Sequence, residues 1–143
     1  MIIKTLTSGL SVMPQITEAD IATLAARGFK SIIVNRPEDE GDDQPRAEAL
    51  AAAANRQGME TRYIPVVSSK ISADDVAAFK AALQELSAPI AAFCRTGTRS
   101  TILWALANNE ALSADERIRI AAAQGYDLEP FRSRIEAATG LGA

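Results

Sequence analysis

Short apolar runs alternate along this chain with longer stretches in which apolar residues recur every three or four positions. The runs Met1–Leu6, Ser31–Val34, Thr61–Val67 and Ile90–Phe93 predict strands. Ser31-Ile32-Ile33-Val34 is the plainest, a short β-branched segment ended by Asn35-Arg36-Pro37. In the third run Pro65 is poorly suited to a central strand, because it cannot donate to a ladder. Between the runs, Thr17-Glu18-Ala19-Asp20 resembles a capping box, and Ile21, Leu24 and Ala25 give a helical face that ends at Gly28. An alanine-rich helix is expected from about Pro45 to Gln57, stopped by Gly58. Ser72-Ala73-Asp74-Asp75 opens another, with Val76, Phe79, Leu83 and Leu86 on one stripe. Further helices are expected to about Asn109, from Ser113 to Gly125, and from Glu129 to Ala138.

Strand and helix in alternation predict an α/β fold with a mainly parallel central sheet flanked by helices, in a single domain over residues 1–143. Ligands of such sheets bind beyond the carboxyl ends of the strands. Three loops should therefore meet on one edge: Asn35–Asp43, Ser68–Ile71 and Cys94–Arg99.

Composition narrows the function classes. The chain is 48% hydrophobic and 23% charged, with a net charge of −3 and both signs interspersed, so it lacks a nucleic-acid footprint. No segment approaches the ~20 apolar residues of a membrane span, and Met1–Leu6 lacks the apolar core of a signal peptide. One cysteine rules out an internal disulfide and fits a cytoplasmic location. The sequence has no histidine, which excludes Ser-His-Asp triads, Cys-His pairs and imidazole zinc sites within the chain.

The candidate chemistry lies in Phe93-Cys94-Arg95-Thr96-Gly97-Thr98-Arg99-Ser100. It follows a predicted strand and precedes a predicted helix, so backbone N–H groups and the positive helix end converge on one point. Gly97 can take the positive φ that a loop curling around an anion needs. Arg99 would close the loop with a forked pair of donors, and a thiolate at Cys94 would be stabilised by the same groups. Ser100, in the first helical turn, can hydrogen-bond that thiolate. Cys94 and Arg99 are thus the candidate catalytic residues, with Arg95, Thr96, Gly97, Thr98, Ser100 and Arg36 as candidate substrate-binding residues. No metal or organic cofactor is implied. Asp74 and Asp75 read as helix N-terminal residues, Glu38 and Glu40 as part of a solvated acidic loop, and Trp104 as core. Arg36 could as well pair with Glu38 or Glu40 as hold a substrate carboxylate.

Together with Ser8-Gly9, Pro14–Thr17, Asn35-Arg36-Pro37-Glu38, Tyr63–Val66 and Gly125-Tyr126-Asp127, this loop resembles the beta-lactamase-hydrolase-like phosphatase-like domain family. The resemblance implies a fold related to dual-specificity phosphatases. Family members stand alone or fused to a persulfide dioxygenase, and have been labelled both phosphatases and sulfur transferases.

Two features of the residues lead us to expect sulfur transfer. The loop spacing is Cys-x4-Arg, one residue shorter than in cysteine phosphatases, and Phe93 stands where those enzymes commonly carry histidine. Rhodaneses share the shorter loop. Val67-Ser68-Ser69-Lys70 also lacks the carboxylic acid that would protonate an alkoxide, whereas a thiolate or sulfite leaves without one. The expected activity is therefore a rhodanese-like sulfurtransferase passing sulfane sulfur from thiosulfate or glutathione persulfide to a thiol, sulfite or cyanide acceptor through a Cys94 persulfide. A persulfide dioxygenase would be its partner. The alternatives are a cysteine-dependent phosphatase and a non-enzymatic persulfide carrier or sensor.

Overall fold

The structure, a computed structural model, describes residues 1–140. A five-stranded sheet runs through it in the order β1-β2-β5-β3-β4, with β1 Lys4–Thr7, β2 Leu10–Met13, β3 Ser31–Val34, β4 Glu60–Tyr63 and β5 Ile90–Phe93. The pairs β2·β5, β5·β3 and β3·β4 are parallel, while β1 pairs antiparallel with β2. The fold is α/β, with a mainly parallel central sheet flanked by helices.

Alternation along each strand sorts the side chains into two layers. Ile32, Val34, Ala91, Phe93 and Met13 face a core closed by α1 (Glu18–Ala26) and α2 (Ala47–Arg56). Ile33, Ala92, Ile90 and Val12 face the other core, closed by α3 (Ala73–Glu85), α4 (Thr98–Ala107), α5 (Ala114–Ala123) and α6 (Arg132–Gly140). All nine residues of α4 from Arg99 to Ala107 are buried, which fits its largely apolar sequence. Trp104 is 3% exposed and packs in this core.

Helix ends follow local chemistry. Thr17 with Asp20, and Ser72 with Asp75, form complete capping boxes at α1 and α3. α1, α2 and α5 stop at Gly28, Gly58 and Gly125, each with positive φ, and the two residues past each cap donate back into the last turn. α2 starts at Ala47, two residues later than expected from Pro45, because its cap comes from outside the helix. Glu38 Oε1 accepts from Ala47 N–H at 2.7 Å, while Arg46 caps nothing with its side chain.

Two expectations from the sequence shift. The first strand is a hairpin, β1–β2, turning at Ser8-Gly9, so Leu10–Met13 forms a strand that the hydrophobic pattern did not separate. All four of its residues are buried, which removes the polar alternation that marks a half-exposed strand. The third predicted run ends as a strand at Tyr63, two residues before Pro65, on the edge of the sheet where proline is tolerated.

Arg117 is 1% exposed and ties the helical layer together. Its guanidinium donates to the carbonyls of Ser113, Ala105 and Ile135, joining α5 to α4 and α6. Among the described residues, no helix is long and apolar enough to cross a membrane.

Candidate active site

Cys94 follows the last residue of β5, and Gly97 caps α4 in the left-handed conformation, φ +92°. The loop between them curls so that Gly97 N–H donates to Cys94 Sγ at 3.1 Å. Two carbonyls of the loop are held by groups outside it or further along the helix. Arg95 O accepts from Gln15 N–H at 3.2 Å, and Gly97 O accepts from Thr101 Oγ1 at 2.7 Å. Thr98 N–H donates to Thr96 Oγ1 at 3.4 Å, which leaves Gly97 N–H as the loop donor seen on the sulfur. Cys94 itself is fully buried, while Arg95, Thr96 and Thr98 are exposed at the mouth.

Arg99 lies in the first turn of α4 and is 6% exposed. Its Nη1 donates to Glu40 Oε2 at 2.6 Å and to Val66 O at 2.9 Å, and its Nη2 donates to Glu40 Oε1 at 2.9 Å. A guanidinium has five N–H donors in a fixed plane. Those three bonds leave Nε–H and the second Nη2 proton, two parallel donors on one edge, for the Cys94 side of the site, where Cys94 is a further hydrogen-bond partner of Arg99. The Glu40 carboxylate raises the Arg99 pKa above its ordinary value, and the nearby Cys94 charge adds to this. Glu40 in turn is held below the ordinary glutamate value, chiefly by its bond to Arg99.

Behind Glu40 stands Arg36, 7% exposed. Its Nε donates to Glu40 Oε1 at 3.0 Å, and its Nη1 to Gln15 Oε1 at 3.0 Å. From the sequence Arg36 is open to substrate binding or to a pair with Glu38 or Glu40; the structure pairs it with Glu40. Ser100 was assigned to the thiolate, yet its hydroxyl donates to Asn35 Oδ1 at 2.8 Å, and Asn35 Nδ2 donates to Ile64 O at 2.9 Å. That buried bridge ties the start of α4 to the ends of β3 and β4. Thr96 Oγ1 donates to Thr98 Oγ1 at 3.0 Å.

The edge of the sheet thus brings together the Asn35–Asp43 loop and the Cys94–Arg99 loop, with Val66 from the segment after β4. Gln15 and Tyr126 also reach the loop, through Arg95 O and Thr96 O, and neither was singled out as a site residue. Glu40 was read as a solvated loop residue. Its position four residues after Arg36, on a loop predicted to share the active edge, was the available signal.

Residues 2–111 match the family described as beta-lactamase hydrolase-like protein, phosphatase-like domain. The beta-lactamase hydrolase-like protein of Agrobacterium fabrum is 38% identical over 122 residues, which is 85% of this chain. The chain spans only 26% of that relative's length. A crystal structure from Neisseria meningitidis, described as a candidate phosphatase, is 36% identical with a TM-score of 0.84, covering 96% of this chain and 99% of that one. Tk-PTP in its active form shares the fold at 13% identity and a TM-score of 0.72, covering 99% and 97% of the two chains.

These likenesses overturn the expectation of sulfur transfer. They point to phosphatase chemistry, and none supports a rhodanese-like sulfurtransferase, a Cys94 persulfide, a thiosulfate or glutathione persulfide donor, a thiol acceptor, or a persulfide dioxygenase as partner. The physical reason lies in what the spacing of one segment leaves out. The shorter loop is only part of the anion site: Arg99, oriented by Glu40 from another loop, adds a two-donor edge suited to phosphoryl oxygens. The match over residues 2–111 places this chain in the phosphatase-like domain family of the beta-lactamase hydrolase-like proteins.

Proposed function

We propose that the chain is a cysteine-dependent phosphatase, hydrolysing phosphomonoesters through a Cys94 phosphocysteine. The observation that carries this reading is the Nε–Nη2 edge of Arg99, which Glu40 leaves turned to Cys94, on a scaffold shared with phosphatases. Two phosphoryl oxygens would take that edge and the loop N–H groups would take the third, so charge developing on phosphorus meets donors already in position. Cys94 Sγ attacks phosphorus as the thiolate: the S–P bond forms, the ester P–O bond breaks, and the leaving oxygen takes a proton from water. A second water then attacks phosphorus, the S–P bond breaks, inorganic phosphate leaves and the thiolate is restored. Arg95, Thr96 and Thr98, exposed at the mouth, would meet the remainder of the substrate. A thiol nucleophile that must stay reduced suits a cytoplasmic location.

The test is hydrolysis of an aryl phosphate by the wild type and by Cys94→Ser, with intact mass measured after rapid quenching. The expected result is turnover by the wild type only, with one phosphoryl group on the wild-type chain during turnover. Hydrolysis that survives Cys94→Ser, or no hydrolysis by the wild type across aryl, alkyl and acyl phosphates, would overturn the reading.

A further inference from the structure

The last part of the described chain reaches back to the loop through one side chain. α5 ends at Gly125, φ +90°, with Gly125 N–H donating to Ala122 O and Tyr126 N–H to Ala121 O. This glycine-based reversal throws the next side chain inward. Tyr126 is 6% exposed, and its hydroxyl donates to Thr96 O at 2.9 Å. Lys4 Nζ lies 4.4 Å from the centre of its ring. The contact with the loop is close: a Cβ on Gly97 would lie 2.1 Å from the Tyr126 hydroxyl oxygen and 3.3 Å from the Met13 carbonyl carbon.

Thr96 C=O and Gly97 N–H belong to one peptide unit. A trans peptide is planar, with its oxygen and its N–H on opposite sides. Fixing the oxygen therefore fixes where the hydrogen points, and here it points at Cys94 Sγ, 3.1 Å away. We infer that Tyr126 is a positioning residue of the active site: by holding Thr96 O, it aims the Gly97 N–H at the Cys94 sulfur. Burial and the Cys94 charge raise the Tyr126 pKa, which keeps the hydroxyl a donor through neutral pH.

The inference rests on the phosphatase reading only for its kinetic consequence, because the thiolate can be assayed without any phosphate. Cys94 is the only cysteine, so alkylation by iodoacetamide reports on it alone. Tyr126→Phe keeps the ring and removes the donor. The expected result at neutral pH is a fall of about tenfold in both the alkylation rate and kcat for an aryl phosphate, a KM within about twofold, and an unchanged circular dichroism spectrum. A folded Tyr126→Phe that alkylates at the wild-type rate would overturn the inference, whatever the phosphatase assay shows.

A second measurement covers the case in which that variant does not fold. In a Tyr63→Phe background, fluorotyrosine enters position 126 alone, since the chain has two tyrosines. Fluorination makes the phenol more acidic without changing its shape greatly. The charged groups facing Tyr126 are Lys4 over the ring and Cys94 in the loop, and both remain. The alkylation rate should then decline at lower pH on its alkaline side than with ordinary tyrosine. An alkaline decline that does not move would overturn the inference.

Discussion

Glu40 holds Arg99 by two hydrogen bonds, 2.6 and 2.9 Å long, across 59 residues of sequence. The pair decides which edge of the guanidinium is occupied and which is left for a substrate. An arginine on a helix has many rotamers, and a two-point clamp selects one before any phosphate arrives.

Replacing the clamp should therefore weaken catalysis without touching the nucleophile. Glu40→Gln keeps shape and one acceptor but loses the charge. We expect kcat/KM for an aryl phosphate to fall about tenfold, while one-step alkylation of Cys94 stays within about threefold. Steady-state kinetics beside the alkylation assay separates the two.

The same pair should make stability depend on acid. Glu40 has a lowered pKa, so the folded state binds its proton more weakly than the unfolded chain, whose glutamate titrates near 4.5. Its contribution is complete above that value and is lost as pH falls through the lower folded value. Urea unfolding at a series of pH values should show the wild type more stable than Glu40→Gln near neutrality. The difference should shrink below about pH 4. A gap that widens in acid would contradict the assignment.

Leaving-group chemistry gives a third expectation. Ser68-Ser69-Lys70 follows β4 without a carboxylic acid, and Glu40 is held ionised by Arg99. Phosphate esters with basic leaving groups should suffer for this. A general acid is commonly worth ~10²–10⁴ in rate, so alkyl phosphates should react slower than aryl phosphates by at least about 10². A series of substituted phenyl phosphates measured at one pH checks the slope.

Gly97 should tolerate no side chain. Its φ is +92°, and a Cβ would meet the Tyr126 hydroxyl oxygen at 2.1 Å and its Cζ at 3.0 Å. In Gly97→Ala the loop must shift, and the Gly97 N–H donor to Cys94 Sγ goes with it. A loss of roughly 10² or more in kcat is expected. Melting temperature measured alongside shows how much of the loss is unfolding.

Arg117 carries a prediction about stability alone. Arg117→Met keeps much of the buried volume but removes the guanidinium's buried bonds to carbonyls of α4 and α6. The expected cost is roughly 2–3 kcal/mol by urea unfolding, with no specific effect on kcat of the folded protein.

The parts of this molecule that local chemistry dictates were legible beforehand. Thr17 to Asp20 and Ser72 to Asp75 are three-residue relationships, and both helices begin where those pairs stand. Ser31–Val34 and Ile90–Phe93 are short apolar runs whose ends are marked by Asn35-Arg36-Pro37 and by the cysteine loop. Leu10–Met13 received no strand assignment, because a strand buried on both faces shows no period. Long-range partners were harder to read. Glu40 meets Arg99 across 59 residues and Tyr126 meets Thr96 across 30, and nothing within either segment states the pairing. Loop length and the missing acid are local features too, and they were allowed to choose the substrate. The partner that orients Arg99 lies on a different loop.

Glu40 belongs to a segment anchored at several points along its length. Glu38 N–H donates to the Tyr63 hydroxyl and Glu38 Oε1 receives Ala47 N–H, while Gln44 bonds Glu40 N–H, Gly41 N–H and the Pro37 carbonyl. Such a strap behaves less like a hinged lid than like a fixed bracket. The entropy of ordering it falls on folding rather than on each encounter with substrate, so turnover need not wait for a loop to close.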